Sequence, residues 1–182
     1  MKIDEILTKE IRHELFGKKN PELTEVVDPL SSVYKKEDLK FQQEVLNYFF
    51  KNKNTCGIDK IYQLKNSMVD GVLELKNGKI ILLEIKYRLN WVNCCQARLQ
   101  FQRFSIEKLY DKLSIKKPES ALIVFNRFSG DWDKIRSKNR KRLDGWNRFY
   151  EEENILSGSL IKTHILQLTD DGHLSGYPEN VA

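Results

Sequence analysis

Long hydrophobic runs are missing from this sequence. Stretches such as Ile80 to Leu83 are far too short to cross a bilayer, and the first residues (Met1, Lys2, Ile3, Asp4, Glu5) carry acids where a signal peptide has its apolar region. A soluble, intracellular, cytoplasmic protein with no membrane partner is expected. Cysteine is scarce: Cys56 and the adjacent Cys94 and Cys95 make an odd count without CxxC spacing, which argues against a disulfide framework and predicts small packed thiols. The three histidines, His13, His164 and His173, are too scattered to suggest a zinc site. No internal repeat, low-complexity block or apolar-poor tail interrupts the chain.

What is present fits one globular unit over residues 1–182, with 40% hydrophobic and 31% charged residues. The net charge of +5 and pI near 9.0 favour a polyanionic partner. Ile3, Ile6, Leu7, Ile11 and Leu15 predict a leading helix, followed by a Gly17 to Pro29 connector. A second helix is expected over Lys36 to Lys51, where Phe41, Val45 and Tyr48 form a stripe ended by Asn52 to Asn54 and Gly57. Strands are predicted at Ile58 to Leu64, Met68 to Leu75 and Lys79 to Tyr87, the last two joined by Lys76-Asn77-Gly78. A helix over Trp91 to Leu113, a strand at Ala121 to Phe125, a basic helical region at about 131–153 and a strand at about 160–168 complete the reading. This order predicts an α/β fold with a mixed sheet flanked by helices.

The feature that bears on chemistry is Glu84-Ile85-Lys86, which sets two charges at alternating positions within an otherwise apolar strand. Buried charges persist when they are paired, bind a metal or line a wet cleft. Alternation puts Glu84 and Lys86 on one face. If Lys76-Asn77-Gly78 is a three-residue loop with Gly78 left-handed in a G1 bulge, Leu75 pairs with Lys79 and Asp70 falls opposite Glu84. A two-residue turn would instead set Asp70 against Ile85 and separate the carboxylates. The bulged register is predicted. Two facing carboxylates repel unless a cation lies between them, and hard oxygen donors suit Mg²⁺, with Mn²⁺ as a substitute. Lys86 could then hold a water. Glu44, on the stripe of Phe41, Val45 and Tyr48, is a candidate third carboxylate, in competition with Glu37 and with a plain surface reading.

Asp70, then thirteen residues, then Glu84-Ile85-Lys86 on a hairpin, preceded by a Glu-bearing helix, resembles the PD-(D/E)XK nuclease superfamily over about residues 36–126. The resemblance implies a restriction-endonuclease-like αβββαβ core, here with an N-terminal helix and C-terminal helix and strand additions. It implies metal ligands at Asp70, Glu84, Glu44 and the Ile85 carbonyl, a catalytic set of Asp70, Glu84, Lys86 and Glu44, and hydrolysis of nucleic acid, DNA foremost. Val69 stands where the named motif has proline. The Gln and Tyr four residues apart of exonuclease-type members are matched in part, by Gln96 with Gln100 or by Gln100 with Phe104. The cysteines fall short of the four ligands of the superfamily's iron-sulfur branch.

Gln96, Gln100 and Arg103 form a polar helical stripe that could contact a phosphate or base, with a solvated face as the competing reading. Lys134, Arg136, Lys138, Arg140, Lys141, Arg142 and Arg148, with Trp132 and Trp146 nearby, suggest phosphate contacts and base stacking. The charge pattern alone is weak, since Asp38-Leu39-Lys40 and Glu74-Leu75-Lys76 repeat it at positions where charge is cheap. A non-cutting nucleic-acid-binding module of the same fold and a structural protein with an ion-pair cluster are the alternatives. The nuclease reading allows a homodimer or a larger nuclease complex, and a dimer would favour double-strand or junction cutting.

Overall fold

Apolar residues at three- and four-residue steps turn Glu37–Lys51 into helix α1, which buries Phe41, Val45, Leu46 and Phe49. The computed structural model describes residues 21–30, 36–130 and 138–177, so the expected leading helix over residues 1–16 lies outside the described residues. Strand β1 (Glu22–Glu25) precedes α1, and strands β2 (Ile58–Lys65), β3 (Gly71–Leu75) and β4 (Ile80–Leu89) come after it. Helix α2 (Trp91–Ile106), the short α3 (Leu109–Lys112), β5 (Ser120–Phe128), α4 (Lys138–Leu156), β6 (Lys162–Leu168) and β7 (Leu174–Tyr177) follow. The seven strands form one mixed sheet in sequence order, antiparallel at β1–β4, parallel at β4–β5 and β5–β6, and antiparallel again at β6–β7.

The apolar run of β4 has the central position it requires. Ile80, Leu82, Leu83 and Ile85 are all buried, because helices cover both faces. On one face, α1 packs Phe41, Val45 and Phe49 into a cluster with Ile61, Leu73, Leu83, Ile85 and Val124. On the other, Cys94, Ala97, Phe101 and Phe104 of α2 cluster with Val72, Leu82, Ala121, Ile123 and Phe125. Cys94 and Cys95 are thus packed thiols, as expected, whereas Cys56 is exposed, and burial pushes Cys94 up to about 11. Helix α4 packs on α2 through Leu143 and Tyr150 against Trp91, Cys95 and Leu99.

The hairpin adopts the bulged register. Glu74 pairs with Ile80 and Gly71 with Leu83. Leu75 N donates to Lys79 O at 2.9 Å, Gly78 N to Leu75 O at 2.8 Å, and Gly78 has φ +80°. Only glycine takes that conformation without Cβ strain.

Several boundaries differ from the expectation. Strand β3 starts at Gly71 rather than Met68, since the chain bends at Asn66 (φ 55°) and buries Met68 and Val69 in the core. The helix expected to run to Leu113 breaks at Glu107 and Lys108, where φ is 50°. The connector and the tail each hold an unexpected edge strand, β1 and β7. Gly145 lies within α4 without ending it.

At Gly71 the sheet is tight: an added Cβ would lie 2.7 Å from the backbone oxygen of Tyr62. A backbone oxygen in a ladder cannot swing aside. Gly71→Ala is therefore expected to destabilise by about 1–3 kcal/mol, read as a lower midpoint in urea unfolding. An unchanged midpoint would show that β2 and β3 part freely.

Candidate active site

The charged residues of β4 are held where β3 begins. Asp70 lies one residue before the Gly71–Leu83 pair, and its backbone N–H donates to Leu83 O at 3.0 Å. Here the backbone ladder gives way to a side chain: Asp70 Oδ2 accepts the Ile85 N–H at 2.7 Å. Its other oxygen, Oδ1, accepts from Gln42 Nε2 of α1 at 3.1 Å. Glu84 is 3% exposed, and its Oε1 lies 2.6 Å from Lys86 Nζ. Its Oε2 is buried with no hydrogen-bond partner among the described residues.

A buried carboxylate with one oxygen unmatched is electrostatically frustrated. Burial, and then the neighbouring Asp70 charge, push Glu84 up to about 8 despite the opposing pull of Lys86 and of the Asp70 backbone N–H. Burial likewise raises Asp70, against the lowering effects of Lys86 and the Ile85 N–H. Burial lowers Lys86, but the Glu84 and Asp70 charges outweigh it and the ammonium is held above its ordinary value. One cation thus faces two carboxyl groups.

Lys86 opens onto a cleft of about 440 Å³. Helix α1 contributes Glu37, Asp38 and Gln42 to it, β4 contributes Ile85 to Arg88, and the start of α2 contributes Asn90 and Asn93. Asn90 and Asn93 cap α2 reciprocally, each side chain accepting the other's backbone N–H, at 2.9 Å and 2.8 Å. A larger cavity of about 510 Å³ lies against Arg98, Glu151 and Thr163. Its Arg98 and Glu151 pair with one another, and of the charged cluster on β4 it is Lys86 that lines the smaller cleft.

The structure brings together Asp70, Glu84, Ile85 and Lys86 but not Glu44. Glu44 pairs with Lys40 at 4.0 Å, is half exposed, and lines a separate depression beside Leu168 and Asp170. Two residues correspond to about 200° around a helix, so with Gln42 turned to Asp70, Glu44 points away. Glu37, the competing candidate, does line the cleft, and with it come Asp38 and Gln42, one turn apart; their i, i+4 spacing was readable, but which face meets the hairpin was not.

Nor does the polar stripe of α2 reach the cleft. Gln96 is exposed and Gln100 half-buried. Arg103 is 2% exposed, paired with Glu107 and set 6.0 Å over the Tyr150 ring of α4. Its charge serves helix packing. Lys134, Arg136 and Trp132 lie outside the described residues, while Lys138, Arg140, Lys141 and Arg142 lie in the first turns of α4. Arg148 is exposed, whereas Trp146 packs with Phe149 and Tyr150. The residues that sequence reasoning passed over are Gln42, Asp38, Arg88 and Arg127.

The donor set tests which metal would fit. It holds two hard carboxylates and a backbone carbonyl, without thiolate or imidazole, and no group of three His, Cys, Asp or Glu side chains is gathered as a metal site among the described residues. Mg²⁺ keeps several waters and takes one or two carboxylates plus substrate oxygens, so this sparse set fits it and does not fit zinc. The orphaned Oε2 of Glu84 is the atom a cation would satisfy.

Fold and site define a mixed α/β protein, a seven-stranded sheet flanked by helices, with an Asp, Glu and Lys cluster at a strand fork. No helix among the described residues is long and apolar enough to cross a membrane. No protein-family model and no curated protein matches the chain. Among solved structures it is similar to Pyrococcus furiosus SfsA in complex with Ca²⁺, at a TM-score of 0.37 and 17% identity over 76% of this chain. The chain spans 62% of the length of that protein.

Proposed function

We propose that this chain is a Mg²⁺-dependent nuclease of the PD-(D/E)XK type that hydrolyses phosphodiester bonds in nucleic acid. The observation that carries the reading is the unmatched, buried Glu84 Oε2 beside Asp70, in a cluster with a single ammonium that opens onto a cleft. A structural ion pair would be expected to satisfy both carboxylate oxygens.

Asp70, Glu84 and the Ile85 carbonyl would hold the ion, which when bound supplies Lewis-acid stabilisation of charge on the phosphoryl oxygens. The remaining chemistry falls to the chain. Lys86, with its three donors, orients a water toward phosphorus and, as an ammonium, stabilises negative charge that builds there in the transition state. Gln42 fixes the Asp70 carboxylate by donating to Oδ1, and the Ile85 N–H fixes Oδ2, so the acceptor geometry is set before substrate arrives. Asp38, at the cleft wall and within electrostatic reach of Lys86, offers a counter-charge when Glu84 is engaged elsewhere.

The test is cleavage of a labelled panel of single-stranded, duplex, flap and four-way-junction DNA and of RNA, with Mg²⁺, Mn²⁺ or EDTA. Metal-dependent products from the wild type and none from Asp70→Ala or Lys86→Ala are expected. Salt-sensitive binding without cutting under every condition would support the non-catalytic binding module instead.

A further inference from the structure

Beyond Lys86, Arg88 lines the cleft together with Glu37 and Asp38, and a second arginine, Arg127, stands beside it on the neighbouring strand. Arg88 of β4 and Arg127 of β5 are register partners in the parallel pair. Residues so paired share a face, and like charges placed side by side across strands are destabilising. Both guanidinium groups lie over one ring: the carbon of Arg127 is 5.1 Å, and that of Arg88 is 5.8 Å, from the centroid of Tyr87. Tyr87 is itself braced edge-on by Phe41 of α1 at 5.8 Å.

The carboxylates facing these arginines hold them loosely. Arg88 lies 3.9 Å from Glu37, with side chains 58% and 66% exposed, and Arg127 lies 3.4 Å from Asp170, with side chains 48% and 77% exposed. Solvated pairs at such separations contribute little. Asp170 also accepts from Asn126 at 2.9 Å, so its charge is shared. Arg127 Nε donates to Asn126 Oδ1 at 3.0 Å, which fixes one edge of its guanidinium. Arg88, and Ser129 just past β5, line the same cleft as Lys86.

Resting on the nuclease reading above, we infer that Arg88 and Arg127, stacked on Tyr87, form a clamp for a backbone phosphate of the nucleic-acid strand, next to the one held at Lys86. Two-residue steps along a strand span roughly 6.6–6.8 Å, about the distance between successive phosphates of an extended strand. The clamp therefore sets the strand's path across β4 and β5. An anion between the arginines relieves their repulsion, and each arginine exchanges a solvated carboxylate for a charge-assisted pair.

Binding of the full chain to short fluorescein-labelled DNA and RNA strands and duplexes, in EDTA so that nothing is cut, tests the clamp. Arg88→Ala and Arg127→Ala are each expected to weaken binding several-fold and to lower the salt slope of log K by about 1, whereas Arg88→Lys keeps the slope. In Mg²⁺ the alanine variants should raise KM with kcat little changed. Because Arg127 also ties β5 to the turn before β7, melting curves accompany both variants, and Arg88 alone decides if Arg127→Ala unfolds.

Unchanged affinity and slope in folded Arg88→Ala overturn the clamp even if the wild type cuts, and the nuclease reading then stands without it. Arginine-dependent binding without cleavage upholds the clamp and removes the nuclease. Inorganic phosphate is the further arm. If it stabilises the wild type through Arg88 while no strand binds, the pair holds a free anion and the nucleic-acid assignment is overturned.

Discussion

Lys86→Ala is expected to slow Mg²⁺-dependent cleavage by about 10²–10³-fold, with substrate affinity largely kept. Among the described residues the ammonium is the cation paired with Glu84, and in the proposed reaction its work falls in the step where charge moves onto the phosphoryl group. Such a loss appears in kcat more than in KM. Asp70→Asn should be more severe, because it removes a charge from the metal's donor set. It is the better probe of chemistry than Asp70→Ala: an amide oxygen still accepts from the Ile85 N–H, and Gln42 can turn its own amide to meet the new NH₂ group. The measurement is single-turnover cleavage beside a circular-dichroism melt. If folded Lys86→Ala cut at the wild-type rate, the role given to the lysine would be wrong.

Glu84→Gln is expected to do the opposite to stability and activity: a higher melting temperature without metal at pH 8, and no cleavage. With the carboxyl held near 8 against a reference value of 4.5, the folded state binds the proton more tightly than the unfolded state does. Its contribution to stability is thus fully present at low pH and is lost as pH rises from 4.5 through about 8. The metal-free wild type should lose melting temperature across that window, and the glutamine variant should lose less. Mg²⁺ at a hundredfold excess over its dissociation constant should restore about 3 kcal/mol, or roughly 5–10 °C, to the wild type at pH 8 and little to the variant. Because the ion displaces a proton, its apparent affinity should increase with pH over the same range. Calorimetry with Mg²⁺ at pH 6 and pH 8 checks both points. Equal melting shifts in wild type and Glu84→Gln would remove Glu84 from the metal site.

Both expectations rest on a site whose β-strand half is legible in the sequence. Alternation along one strand places Glu84 and Lys86 together, and Lys76-Asn77-Gly78 admits few registers, one of which brings Asp70 alongside. These are short-range constraints, decided within about twenty residues by backbone sterics and the pleat. The helical half was not legible in the same way. A stripe over Phe41, Val45 and Tyr48 shows that α1 is amphipathic, but the rotation that seats Phe41 and Val45 on Ile61 and Leu83 decides which polar flank borders the hairpin. It is the flank of Asp38 and Gln42, and Glu44 points elsewhere.

Position in the fold also decided what the remaining charges do. Arg103 looks like a surface cation until α4 packs over it, because nothing within α2 says that a second helix layer will cover that side. Arg88 and Arg127, some forty residues apart, become neighbours only through the parallel register of β4 and β5, set after α2 crosses the sheet. The edge strands β1 and β7 have little apolar alternation, and they form because the sheet offers unpaired backbone groups at its borders. The sequence by itself determined the central strand, its hairpin and the charged triplet, where each residue's neighbours are its own near relations in the chain. Which helix face borders the hairpin, which arginines become neighbours and which segments cap the sheet edges depend on long-range docking, which local periodicity does not encode.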